Sequence, residues 1–338
     1  MFLALDAPPL ADQTIPDACE HRQVGSIFPA IGKASLNDPK SRSNPSSPPS
    51  ARGSSPGSSS HSSPSWQTPR GVTKGNWDYV RANQIAGQYD QFLQDDPLTK
   101  VDRQIIDRYL PMVNGLESSV DERSDLQAPL VADFGCGTGR TLAPVLKRGY
   151  RGLAIDLSIP MLAEFAKKNH QTSAPGTIDS EQLVLINANL CELEGIKDDS
   201  VDHAICMFST LGMIAGAKNR ALFLGHVRRI LKPGGLFILH AHNVWFQLRS
   251  PGGIGWALSS VWSGIRGNGE FGDRTADYRG LRKLFIHSFR KNELGRALAD
   301  HGLADQTWLG IKPGATTASE KLPVGSSLRL VGWIVVCR

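Results

Sequence analysis

Five short apolar runs alternate with amphipathic stretches through the middle of this chain, and that rhythm limits the possible folds more than any other feature. The runs are Leu130 to Phe134, Gly152 to Ile155, Leu183 to Ile186, His203 to Phe208 and Leu236 to Leu239. Between them the spacing predicts helices. One spans Thr141 to Lys147, and a second is capped by Ser158, with Pro160 in its first turn and Met161, Leu162 and Phe165 on one face. A third runs from Asn219 to Leu231, with Phe223, Val227, Ile230 and Leu231 inward, and stops at Pro233, Gly234 and Gly235. Strands that alternate with helices imply successive βαβ units, so the expected class is doubly wound α/β with a mostly parallel sheet covered on both faces.

The flanks read differently. Between Ser41 and Ser65, 18 of 25 residues are Ser or Pro, too little apolar surface to offset the entropy of ordering them. Residues 1–75 are therefore expected to be a disordered tail, with the folded domain at 76–338. From Trp77 to Met112 the spacing predicts helices, broken by a turn at Asp95, Asp96 and Pro97. After residue 243 the rhythm lapses into a Gly-, Ser- and Trp-rich stretch, 244–280, read as an inserted cap. Strand, helix and strand are then expected at Leu284 to His287, Lys291 to Asp300 and Leu328 to Val336, the last one antiparallel.

No stretch approaches the roughly 18 consecutive apolar residues of a membrane span. The first ten residues lack a basic start and carry Asp6, which argues against a secretory signal. Five widely spread cysteines without CxxC or zinc spacing read as free thiols in a reducing cytoplasm. The net charge of +5 divides as +2 over 1–75, −3 over 76–243 and +6 over 244–338. That basic excess is scattered rather than clustered with aromatics, so a solvated surface is preferred over nucleic-acid binding.

The chemistry concentrates at Val131 to Arg140, where Gly135, Gly137 and Gly139 form a turn directly between the first strand and its helix. Glycines let backbone approach a ligand there, and free amides favour a nucleotide-like cofactor. The dinucleotide fingerprint GxGxxG is not met, because Arg140 stands where its third glycine belongs.

The GxGxG spacing, preceded by Asp133 and followed by Asp156 at the end of the second strand, resembles motif I and its successor in the class I methyltransferases that use S-adenosylmethionine. The resemblance covers roughly residues 80 to 338 apart from the insert. It implies a Rossmann-like, doubly wound, mostly parallel seven-stranded sheet with an antiparallel final strand. It also implies a cofactor site built from Asp133, Gly135, Cys136, Gly137, Thr138, Gly139, Asp156 and Leu157, with Asp156 at the ribose. Asn189 and Leu190 would stand beside the adenine, Met207 and Phe208 beside the methionine portion, and Tyr89 would cover the cofactor. His242, near the carboxyl end of the fifth strand, is the one candidate general base, and His242 and Tyr278 are expected to line the acceptor site. His240 and His242 share a strand face, but no third metal ligand stands at a recognisable spacing. Cys136 is read as a residue of fit rather than a nucleophile.

The expected activity is methyl transfer to an O, N or C nucleophile of a small-molecule acceptor. Phe208-Ser209-Thr210-Leu211 replaces the Asn/Asp-Pro-Pro-aromatic motif of adenine and glutamine methylation, and there is no Pro-Cys pair for pyrimidine carbon-5. Two other classes stand beside this reading: a nicotinamide-dependent oxidoreductase, and a non-catalytic module that binds S-adenosylmethionine.

Overall fold

In a computed structural model of the chain, the structure describes residues 68–113, 128–171, 182–249, 252–267, 269–321 and 326–338. Three helices come first: α1 (Lys74–Val80), α2 (Asn83–Leu93) and α3 (Pro97–Tyr109). Their starts follow from local chemistry. Thr73 Oγ1 accepts from the Asn76 N–H at 3.3 Å, and Asp96 Oδ1, with Pro97 opening the helix, accepts from the Leu98 N–H at 2.9 Å. The domain boundary expected at residue 76 thus moves earlier. A turn closed by the Val72 N–H donating to the Pro69 carbonyl at 3.1 Å already precedes α1. The Ser/Pro-rich stretch lies outside the described residues.

The alternating region then gives β1 (Leu130–Phe134), α4 (Leu142–Leu146), β2 (Arg151–Asp156), α5 (Ile159–Gln171) and β3 (Leu183–Asn187). It continues with β4 (Val201–Cys206), α6 (Thr210–Met213), α7 (Ala217–Ile230) and β5 (Leu231–His242). Beyond it stand α8 (Gly253–Ile265), β6 (Asp273–Tyr278), β7 (Leu281–His287), α9 (Lys291–Asp300), β8 (Gln306–Ile311), β9 (Ala318–Ser319) and β10 (Gly332–Cys337). The main sheet has the order β3-β2-β1-β4-β5-β10-β8-β9. Strands β1 to β5 pair in parallel, and β10 runs antiparallel between β5 and β8. Seven strands match the expected number, and the two-residue β9 adds an eighth at the β8 edge.

Both faces are covered. Phe223, Val227 and Ile230 of α7 and Leu294 and Leu298 of α9 pack on one side, where Phe223 meets Phe134 edge-on at 5.3 Å. On the other side Val101, Ile105 and Ile106 of α3 pack with Leu142 of α4 and Phe165 of α5. The four described cysteines, Cys136, Cys191, Cys206 and Cys337, are buried free thiols. No helix among the described residues is long and apolar enough to cross a membrane.

Two strand expectations need correction. Leu284 to His287 is not a strand of the main sheet. It lies in β7, which pairs with β6 as a separate two-stranded hairpin. The hairpin is covered by two helices: a Cβ on Gly75 of α1 would lie 2.1 Å from the Lys283 carbonyl oxygen, and one on Gly212 of α6 would lie 2.5 Å from the His287 carbonyl oxygen. The sheet strand is β8, whose outer half is only partly buried and carries no apolar run. The last strand starts at Gly332 rather than Leu328, because Ser326–Arg329 forms a 3-10 turn.

Candidate functional site

The sheet order reverses between β1 and β4, and open α/β sheets leave a crevice at that point beyond the carboxyl ends of the strands. The glycine turn after β1 lies there. Gly135, Gly137 and Gly139 have φ of +79°, +54° and +79°, a region that favours glycine. A Cβ on Gly135 would lie 2.4 Å from Thr210 Cγ2, and one on Gly139 would lie 2.3 Å from the Phe165 ring. Gly137 differs: its Cβ would meet only Tyr89 Cε1, at 3.8 Å, so its backbone borders open space.

Asp156 at the end of β2 turns toward that bend. Its Oδ2 accepts from the Gly137 N–H at 2.8 Å and its Oδ1 from the Ser158 N–H at 2.8 Å. Burial raises its pKa above the ordinary carboxylate value, against the opposing pull of the Ser158, Gly137 and Leu157 amides. A carboxylate offers about four lone-pair sites, so about two remain for a further partner.

Asp156, Leu157, Gly135 and Gly137 form one wall of a cavity of about 140 Å³. Asn189 and Leu190 close a second side, and Phe208, Thr210 and Met213 a third. The roof is made by the segment from Arg70 to Tyr79 together with Tyr89. That roof is pinned: Asn189 Nδ2 donates to the Arg70 carbonyl at 3.0 Å, the Ala215 N–H to the Gly71 carbonyl at 2.8 Å, and Ser158 Oγ to the Val80 carbonyl at 2.6 Å. The hydroxyls of Tyr79 and Tyr89 share a hydrogen bond, and burial pushes Tyr89 up to about 12. The volume is below the roughly 300 Å³ at which small-molecule pockets ordinarily begin.

Eight of the residues singled out from sequence therefore line one cavity: Tyr89, Gly135, Gly137, Asp156, Leu157, Asn189, Leu190 and Phe208. The others stand behind it. Asp133 is 2% exposed, and burial pushes its carboxyl up to about 8, with Asp156 adding to the rise and Arg140 opposing it. Cys136 is buried, its thiol raised by that burial. Thr138 donates its hydroxyl to Asp90 and so ties the turn to α2. Gly139 admits Phe165, and Met207 packs in the core.

The two residues expected to line an acceptor site are not in the cavity wall. Tyr278 packs edge-on to Tyr79 at 6.5 Å, one layer out. His242 donates its backbone N–H to Ser209 Oγ at 3.2 Å and sets its ring edge-on to His240 at 5.2 Å. Burial pushes its imidazole down to about 3, so it is neutral but a weak base.

Sequence reasoning passes over the roof, Asn76 and Tyr79 above all, because helices ahead of the first strand read as packing. It also passes over backbone strain. Phe208 and Ser209 both sit at left-handed φ, 57° and 62°, each costing about 1 to 3 kcal/mol. This double turn carries Phe208 into the cavity wall, with the Arg140 guanidinium 4.5 Å from its ring centroid.

One buried polar cluster lies elsewhere. His287, fully buried on β7, meets Asp273 Oδ1 at Nδ1 and Glu293 Oε1 at Nε2, both at 2.8 Å. Ligand atoms of Glu270, His287 and Glu293 lie within 4.8 Å of one another, but both imidazole nitrogens already face carboxylates. The cluster is explained as an ion triad joining the hairpin to α9. Burial lowers the His287 pKa, yet the two carboxylates outweigh it and the net shift is upward. Burial raises Asp273 and Glu293, yet His287 and other donors outweigh it and both end lowered.

The raised imidazole stabilises the fold below its unfolded pKa of about 6.5 and loses that effect as pH rises through the folded value. The lowered carboxylates stabilise above about 4 to 4.5 and lose the effect as pH falls through their folded values. Full stabilisation thus spans roughly pH 4.5 to 6.5. His287→Gln is expected to cost about 3 to 5 kcal/mol there, and the gap in melting temperature from wild type should narrow toward pH 9. A gap constant from pH 5 to 9 contradicts the triad's protonation as described.

Residues 132–239 match the family described as a methyltransferase domain, a span from β1 through most of β5 that includes the glycine turn and Asp156. Over that stretch the chain is similar to a methyltransferase domain. The first three helices, α8, the β6–β7 hairpin and β8 to β10 lie outside the matched residues of that methyltransferase domain. Among solved structures, the chain is similar to a SAM-dependent methyltransferase from Methanosarcina mazei, at 20% identity over 62% of this chain and 92% of that one, with a TM-score of 0.48. It is similar to the CcbJ methyltransferase of Streptomyces caelestis, at 16% identity over 76% and 96%, TM-score 0.49. It is also similar to the 1,6-didemethyltoxoflavin-N1-methyltransferase of Burkholderia thailandensis, at 17% identity over 79% and 90%, TM-score 0.46. No curated protein matches the chain.

Proposed function

We propose that the methyltransferase domain holds S-adenosylmethionine in the cavity between the Gly135 to Gly139 bend and the roof, and transfers its methyl group to an O, N or C nucleophile of a small molecule. The carrying observation is Asp156, fixed by the Gly137 and Ser158 amides at the cavity wall with lone pairs to spare. Those lone pairs suit the two ribose hydroxyls. Gly137 supplies the open backbone against which the cofactor lies, since a side chain there would fill the space. Asn189, Leu190 and Phe208 line the same cavity, the first two taken to face the adenine and the last the methionine portion.

When bound, the cofactor supplies an electrophilic methyl group on a sulfonium. The protein's work is then orientation and exclusion of water. Positioning of reacting groups of this kind contributes about 7 to 11 kcal/mol to lowering a barrier. A roof drawn from the chain itself favours an acceptor small enough to pass beneath it. No protein base is assigned, because His242 stands behind the wall and is held near pKa 3.

Isothermal titration of the full chain is expected to show one site for S-adenosylmethionine and one for its demethylated product. Folded protein that gives no heat with either overturns the proposal. Turnover is expected with a metabolite extract, read as release of the demethylated cofactor. Binding without any turnover favours the non-catalytic module instead.

A further inference from the structure

Helix α8 is inverted for a surface helix. Ile254, Leu258, Val261, Trp262 and Ile265 are exposed, whereas Ser260 and Ser263 turn toward the β6–β7 hairpin. A surface helix ordinarily buries its apolar stripe and exposes the polar one. What the inward serines face is a second cavity, of about 550 Å³, bounded by Trp256 of α8, Arg274 and Thr275 of β6, and Phe285 of β7. That volume lies within the range of small-molecule sites, about 300 to 1,000 Å³.

The charges in its wall are not equivalent. Glu270 is engaged at both oxygens: Oε1 accepts from the Ala217 N–H at 2.6 Å and Oε2 from Arg220 Nη2 at 2.5 Å. Asp273 is engaged as well, through His287 at Oδ1 and through the Glu270 N–H at Oδ2, 2.8 Å each. Arg274 is the wall's one cationic side chain among the described residues, and it donates only to the neutral Gln247 Oε1. Burial lowers its pKa, and no acidic neighbour acts against that shift. The acids are therefore each engaged by a donor within the fold, whereas the cation donates only to a neutral amide.

We infer that this cavity binds a small molecule bearing a carboxylate or phosphate on an apolar or aromatic body. The anion lies on Arg274 with the Ser263 and Thr275 hydroxyls in reach of the same wall, and the body rests against Trp256 and Phe285. A guanidinium suits such oxyanions because its fork donates two parallel hydrogen bonds. The site is separate from the cofactor cavity. Strand β7 is the partition: Phe285 lines this cavity, while its N–H and carbonyl are both bound by Asn76, at 2.7 and 3.1 Å, which lines the other.

Ligand-observed NMR titration of the full chain tests the inference, with benzoate, phenyl phosphate and inorganic phosphate as probes and benzamide as the neutral control. At least one of the two aromatic anions is expected to saturate about tenfold or more tightly than benzamide. Benzoate alone points to carboxylate ligands, and phenyl phosphate with inorganic phosphate to phosphorylated ones. Arg274→Gln is expected to remove that preference, and Arg274→Lys to keep part of it. Affinity for the demethylated cofactor, measured on the same samples, should stay within twofold and so reports that the variants are folded. Anions that bind no better than benzamide, or a preference unchanged in Arg274→Gln, overturn the inference whatever the outcome at the cofactor site.

Discussion

Replacing Asp156 by alanine is expected to weaken S-adenosylmethionine binding by about 100-fold or more, as read by titration calorimetry. The carboxylate accepts two backbone amides, from Gly137 and Ser158, before any ligand arrives. Hydrogen bonds to a charged group contribute about 1.5 to 3 kcal/mol each, so losing both frees the bend and the start of α5 together. Loss of the proposed sugar contacts adds to that. Asp156→Asn keeps one acceptor oxygen and should fall between the two. Because burial raises the carboxyl pKa, wild-type affinity should also decline on acidification at a higher pH than an ordinary aspartate would give. A dissociation constant for Asp156→Ala within threefold of wild type removes this residue from the site.

Gly139→Ala is expected to be the most damaging small substitution in the turn, through stability rather than contact with ligand. The added carbon meets the Phe165 ring at 2.3 Å, and Phe165 is 2% exposed in the core against α4. Overpacking of this kind costs about 1 to 3 kcal/mol, and left-handed φ at a non-glycine residue about 1 to 2 more. For a domain of this size that corresponds to a fall in melting temperature of roughly 5 to 15 °C. Gly139→Ala with Phe165→Leu should recover part of the loss. Gly137→Ala supplies the contrast: its Cβ has room, so it should be less destabilised than Gly139→Ala but lose cofactor affinity. Equal melting temperatures for Gly139→Ala and wild type contradict the packing described.

Where side chains alternate with the backbone's own periodicity, the fold was legible. The five runs from Leu130 to Leu239 are the five parallel strands, and Asp95-Asp96-Pro97 and Ser158-Pro160 mark helix starts because capping is a local matter. Tertiary packing overrode the pattern elsewhere. Leu284 to Ile286 are buried beside α1 and α6 rather than in the main sheet, and the apolar run of β8, Trp308 to Ile311, is short and follows two polar residues. At the site, glycines and a strand-end aspartate were visible because the backbone itself demands them. Asn76 and Tyr79 were not, since nothing in their spacing says that a helix ahead of β1 folds back over its carboxyl end. His242 lies outside the cavity lining, which position along a strand does not reveal; its backbone N–H is taken by Ser209 Oγ.

The place of β10 bears on the order in which this protein can assemble as it leaves the ribosome. Strands β1 to β5 find each other as they emerge, but β8 pairs with none of them; it joins the main sheet through β10, a later segment. Until residues 332–337 arrive, β5 and β8 each present a bare edge of unpaired amides and carbonyls, a surface prone to recruit foreign strands. Nascent chains stalled before Gly332 should therefore be the ones that chaperones retain.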